Sequence, residues 1–254
     1  MPRRLPAFLL ATILLGACGP QFRLPDPGQT ALVAAQREIA TAPPLQEHAR
    51  GPAEQREMLR RVATRIAAAA QDICRAQRGG DCAFRIGYDP SGAVNAYASG
   101  SGDVVVTAGL LRIVDNDAEL AAVVAHEFAH HIANHIGRAR TRTTIGALAG
   151  AVVGAYSGLG DLSGLGAQAG RLVYSKSDER EADYLAAYIT AWAGYDLDRA
   201  GGNWAKLAGS GDRRVTAGLL DTHPAGPERL AAWELAKQEI AASPERRPQP
   251  RAVR

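Results

Sequence analysis

The chain is poor in cysteine, in blocks of like charge and in long apolar runs. Cysteine occurs only at positions 18, 74 and 82, so at most one internal disulfide can form. The formal charge is +3 over 254 residues and falls to +1 without Arg3 and Arg4, with no basic block left behind. Nucleic acid is therefore not a natural partner. The N-terminal apolar run, Ala7 to Leu15, is too short for a spanning helix, which needs about 20 residues.

That run has another reading. Arg3 and Arg4 precede it as a positive region, and Leu15-Gly16-Ala17-Cys18 follows it. This layout resembles the signal peptide and lipobox of bacterial lipoproteins, in which the chain is cut before the cysteine and the cysteine is acylated. The expectation is a signal peptide over 1–17, a lipid anchor on Cys18 and, with Gly19 in place of Asp, an outer-membrane lipoprotein facing the periplasm. Prolines 20, 25, 27, 43, 44 and 52 then suggest a tether over 18–52, with one short helix near 30–40. An exported compartment permits a bridge between Cys74 and Cys82, closing a small loop.

Periodicity organises the remainder. Met58, Val62, Ile66, Ala69 and Ile73 share a stripe on a helix over 53–78. Strands are expected at 83–88, 93–98 and 103–107, forming a small antiparallel sheet, and a short helical piece at 109–114. Further helices are expected at about 117–137, 176–194 and 226–242. A Pro- and Arg-rich tail over 243–254 reads as disordered. The fold class is α+β and mainly helical. The stretch from Thr143 to Gly160 carries no charge and has glycine at 146, 150, 154 and 158. It is expected either to pack over the cleft as a lid or to touch a membrane.

The chemistry is concentrated in His126-Glu127-Phe128-Ala129-His130. Histidines four apart on a helix lie one turn apart on one face, where both imidazoles can bind one zinc ion. The glutamate between them is the candidate general base. The context is helical: Asn116 and Glu119 have capping-box spacing, and Leu120, Val123, Val124 and Phe128 recur at helical intervals. Gly137 is the expected exit.

A peptidase zinc site needs a third protein ligand. Glu179 and Asp183, four apart in Ser177-Asp178-Glu179-Arg180-Glu181-Ala182-Asp183, are the best source, with Glu179 on the metal and Asp183 bonded to a ligand histidine. Glu181 competes as ligand but points about 160° away by helical count.

At this point the chain resembles the HtpX/BepA/CAAX-prenyl-protease type of gluzincin metallopeptidase, above all its soluble periplasmic lipoprotein branch. The matching segments run in order: VNAYASGSGDVVVTAGLL, ELAAVVAHEFAHHIANH, YSKSDEREADYLAAYITAWAGYD and THPAGPERL. The resemblance implies a zincin-like domain over 53–242, one Zn2+ on His126, His130 and Glu179, and Asp183 as support. It implies that His223 either assists the oxyanion or caps the zinc, and that Arg229 binds substrate or the zinc-site loop. His131 and His135 are expected to be structural or exposed. A strand around Asn95, Ala96 and Tyr97 is expected to take an extended substrate on its edge. The implied activity is endopeptidase cleavage of unfolded or misfolded envelope proteins. The alternative is a chaperone-like assembly factor for outer-membrane proteins with a mostly capped site.

Overall fold

The computed structural model describes residues 20–79, 82–99, 102–158, 160–165, 174–245 and 247–253. The signal-peptide segment and the lipidation candidate Cys18 lie outside the described residues.

Among the described residues the chain is mainly helical, with one small sheet. Helix α1 (Gln29–Thr41) leads to α2 (Pro52–Arg78), which opens on a proline and closes on Gly79 in the left-handed region at φ 65°. The stripe Met58, Val62, Ile66, Ala69 and Ile73 is buried, as its spacing requires. Strands β1 (Arg85–Asp89), β2 (Ala96–Ser99) and β3 (Asp103–Thr107) follow, then α3 (Ala108–Ile113) and α4 (Asp117–Ile132). The second half contains α5 (His135–Ser157), α6 (Lys176–Trp192), α7 (Leu197–Gly209), the short α8 (Arg213–Thr216) and α9 (Leu219–Thr222), and α10 (Pro227–Ala242).

The sheet is mixed, not antiparallel. Its order is β1-β3-β2, with β2 antiparallel and β1 parallel to β3. The cause is the link between β1 and β2, which crosses the end of β3 and descends on its far side. Thr107 holds this crossing: its hydroxyl donates to Ala93 O at 2.6 Å and accepts from Asn95 N at 3.0 Å. Gly109 lies beneath it, where a Cβ would sit 2.1 Å from Ala93 O, so no larger residue fits. Strand β2 is thus an edge strand, packed on α4.

Helix α4 is the centre of the molecule, packed against α2, α6, α7 and the sheet. Asn116 caps it, accepting from Ala118 N and Glu119 N, and Glu119 Oε2 accepts from Asp115 N. Lys206 of α7 then bonds Glu119 at 2.5 Å. The helix ends earlier than Gly137 suggests. Asn134 takes φ 55°, ψ 35°, a conformation asparagine tolerates, and starts α5 on a new course. Gly137 serves this break in another way, since a Cβ there would lie 2.4 Å from Asn134 Oδ1.

Both ends of the described chain differ from expectation. The segment read as a tether is docked: Phe22 and Ala35 are buried, α1 packs on α10, and Arg180 donates to Pro25 O at 2.8 Å. The tail read as disordered is also held. Phe22 bridges Ala252, Trp192 donates to Pro248 O at 2.9 Å, and Arg251 N donates to the Tyr184 hydroxyl at 3.1 Å. The prolines that suggested loose chain instead shape extended segments whose backbone groups find partners on the domain. A disulfide joins Cys74 at the end of α2 to Cys82 before β1.

The charge-free stretch is helical through Ser157 but is not packed down. Leu148, Val152, Val153 and Tyr156 are exposed, Tyr156 at 94%. Among the described residues no helix is long and apolar enough to cross a membrane. Residues 166–173 lie outside the described set.

Candidate metal centre

Helices α4 and α6 cross so that the pentad faces the acidic helix. Ser175 starts α6 with a capping box, accepting from Asp178 N while Asp178 accepts from Ser175 N. That fixes the helical phase, and Glu179 and Asp183 then face α4 together.

His126, His130, Glu179 and His223 each present a ligand atom within 4.8 Å of the others, and all four are buried. His126 Nε2 and His130 Nε2 are 3.0 Å apart, and Glu179 lies 3.4 Å from the first and 3.5 Å from the second. His223, just past α9, brings Nδ1 to 3.1 Å from Glu179 and 3.3 Å from His126 Nε2. The donor set fits a divalent cation. Both oxygens of Glu127 and Oε2 of Glu179 are buried without a hydrogen-bond partner, although Oε1 of Glu127 lies 3.5 Å from His223 Nε2 and Oε2 of Glu179 keeps an ion-pair contact with Arg229 at 3.0 Å. Buried acceptors left this way are costly unless a ligand meets them.

Asp183 lies behind His126, with Oδ1 2.9 Å from Nδ1. This leaves Nε2 of His126 directed to the cluster. Arg229 of α10 bonds both oxygens of Asp183 at 2.7 Å and donates to His223 O at 3.1 Å, with its guanidinium 4.8 Å over the Trp204 ring. Besides Asp183, Arg229 thus holds the loop that carries His223.

The charges follow from this geometry. Burial and Arg229 press the His126 pKa down, but Asp183 and Glu179 outweigh them and lift it to about 9 in the metal-free site. Burial, then the charge of His126, holds His130 well below its usual value, which keeps it neutral and able to ligate. Burial alone would raise Glu179, yet Arg229 and His223 bring it well below the carboxylate range. Glu127 goes the other way, raised chiefly by burial. The contrast between two carboxylates in one pocket suits one as ligand and the other as proton acceptor.

Asn95, Ala96 and Tyr97 lie at the start of β2, with Ala96 buried and Tyr97 partly exposed. The Ala98 backbone amide is among the groups that lower the Glu127 pKa, so this strand passes beside the pentad. His131 is structural: Nε2 bonds Asp103 O at 2.9 Å and Nδ1 accepts from Gly102 N at 3.3 Å.

Three residues at the site carried no clear signal in the sequence. Tyr174 lays its ring 3.9 Å from that of His130 and stacks on His223. Trp204 flanks His126 at 5.4 Å, from a helix that contains Gly201 and Gly202. His135, expected to be structural or exposed, is fully buried against His130.

Comparison with known proteins agrees with this geometry. A 136-residue stretch is 34% identical to the mitochondrial metalloendopeptidase OMA1 of Arabidopsis thaliana, covering 54% of this chain and 28% of that protein. A 152-residue stretch is 32% identical to the beta-barrel assembly-enhancing protease of Yersinia pestis, covering 54% of this chain and 31% of that protein. The chain thus spans under a third of the length of these relatives. The model of peptidase family M48 matches residues 54–236, a span that opens with α2, takes in the pentad, the acidic helix and His223, and closes within α10. The chain belongs to peptidase family M48.

Proposed function

We propose that the protein is a zinc-dependent endopeptidase that cleaves unfolded or misassembled proteins of the cell envelope. The observation that carries this reading is the convergence of His126, His130 and Glu179 beside Glu127, whose carboxylate is buried and without a hydrogen-bond partner. A zinc ion held by the three ligands would supply Lewis acidity to the scissile carbonyl and to an attacking water. Glu127 takes the water proton and returns it to the leaving amine, a role suited to a carboxylate whose pKa burial has raised. Asp183 fixes the His126 ring, and Arg229 holds Asp183 in turn. An extended substrate adds to the outer edge of β2, through main-chain hydrogen bonds that are weakly selective for sequence.

The envelope setting rests on the lipobox-like Leu15-Gly16-Ala17-Cys18 and on likeness to a relative named for enhancing beta-barrel assembly. On this reading Cys18 carries a lipid that holds the domain at the outer membrane, facing the periplasm.

A second reading is favoured by one observation. His223 is close enough to be a fourth ligand, and the cluster is buried under it and Tyr174. A site capped in this way matches an assembly factor that binds clients and cuts rarely. Wild type and Glu127→Gln, both zinc-loaded, separate the two on an unfolded protein substrate. Cleavage by wild type alone supports the peptidase. Client binding by both with cleavage by neither supports the assembly factor. Equal cleavage by both removes Glu127 from the chemistry.

A further inference from the structure

Each imidazole of the pentad uses one nitrogen toward the cluster and leaves the other to be held. For His126 the holder is Asp183. For His130 the sequence offers no such partner. Its Nδ1 instead lies 2.9 Å from Nδ1 of His135, five residues on. In an uninterrupted helix, residues i and i+5 point about 140° apart and cannot meet. They meet here because α4 breaks at Ala133–Asn134 and α5 restarts at His135. His135 Nε2 then lies 2.9 Å from Oε2 of Glu181, and His135 and Glu181 are both fully buried. Arg138 donates to the same oxygen at 2.7 Å, and the other oxygen accepts the backbone amides of Gln21 and Phe22.

With His130 as a ligand, one proton arrangement satisfies this chain. If His130 directs the Nε2 lone pair to the cluster, its proton is on Nδ1 and is donated to Nδ1 of His135. His135 must then carry its own proton on Nε2, which it donates to Glu181. Helix α6 therefore supports both imidazoles, one directly through Asp183 and the other from a second face through Glu181 and His135.

We propose that His135 is a positioning residue for His130, and that Glu181 sets its tautomer. The proposal rests on the zinc reading above. It deepens that reading by giving the second ligand a support as specific as that of the first.

The test uses the full chain with His135→Phe, His135→Asn and His135→Gln, and reads zinc affinity by competition with a chromophoric chelator. Loss of the supporting bond should weaken zinc binding about 10–100-fold in His135→Phe. Asparagine places an amide oxygen near the position of Nδ1 and should restore most of the affinity. Glutamine reaches toward the Nε2 position and should not. Melting of the three metal-free variants at similar temperatures is expected. His135→Phe binding zinc as tightly as wild type would overturn the proposal, as would equal losses in the asparagine and glutamine variants, which would mark a packing role. A wild type that fails to take up one zinc per chain overturns the zinc reading itself, and this inference with it. Long-range proton–nitrogen spectra of zinc-loaded wild type give an answer even where a variant fails to fold. They should show His135 protonated at Nε2 and not at Nδ1, and a proton on Nδ1 of His135 would also end the proposal.

Discussion

Helix α4 and the outer half of α5 are built from much the same residues. Both are rich in alanine and carry two valines and one leucine, yet α4 is buried along nearly its whole length while α5 beyond Ile145 exposes Leu148, Val152, Val153 and Tyr156. Partners make the difference. Helix α4 has a helix or strand on several sides, whereas α5 packs chiefly against α4 near its own start. Apolar content sets what a helix can bury, and topology decides whether it does. The polar groups follow the same division. Most charged groups on α4 and its neighbours are paired, and the outer α5 has no charged residue to pair.

The contrast can be broken or sharpened by substitution. The largest effect is expected for Glu127→Gln in α4, which should lower cleavage of an unfolded protein about 10²–10⁴-fold. Zinc content measured on the same samples should stay at the wild-type level. Next is Phe128→Ala, which empties a fully buried ring site and should cost about 3–5 kcal/mol in denaturant unfolding. A cost under about 1 kcal/mol would mean that α4 is less tightly enclosed than its burial implies. Asp183→Ala, which removes the support of His126 and one of the two carboxylates that Arg229 meets, should weaken zinc about 10–100-fold in chelator competition. The smallest effects belong to the outer α5. Leu148→Gln and Val152→Gln should each shift stability by less than about 0.5 kcal/mol. A destabilisation above about 1 kcal/mol would reveal a hidden partner and dissolve the contrast.

What could be read from the sequence divides along similar lines. The pentad, the Glu179–Asp183 pair, the cap at Asn116 and the stripe on α2 are local patterns, set by helical geometry within a few residues. The parallel pairing of β1 was not legible, because it depends on a crossing held by Thr107 over Gly109. Helix α7 was hidden by Gly201 and Gly202, poor helix formers that lower the apparent propensity. Gly201 is there for another reason: a Cβ would lie 2.6 Å from the Trp233 indole nitrogen. The pairing of His135 with His130 is not legible in the sequence, because a five-residue interval falls on the wrong side of a continuous helix, and only the turn at Asn134 changes that.

The pairing of Phe22 with Ala252 gives the molecule a seam where its first and last described segments are stitched side by side, next to Glu181. A pull on the N-terminal end loads that seam in shear before it reaches the helices. A bulky group inserted beside Phe22 or Ala252 would crowd the same corner, so reporter tags are better placed in an exposed loop away from it.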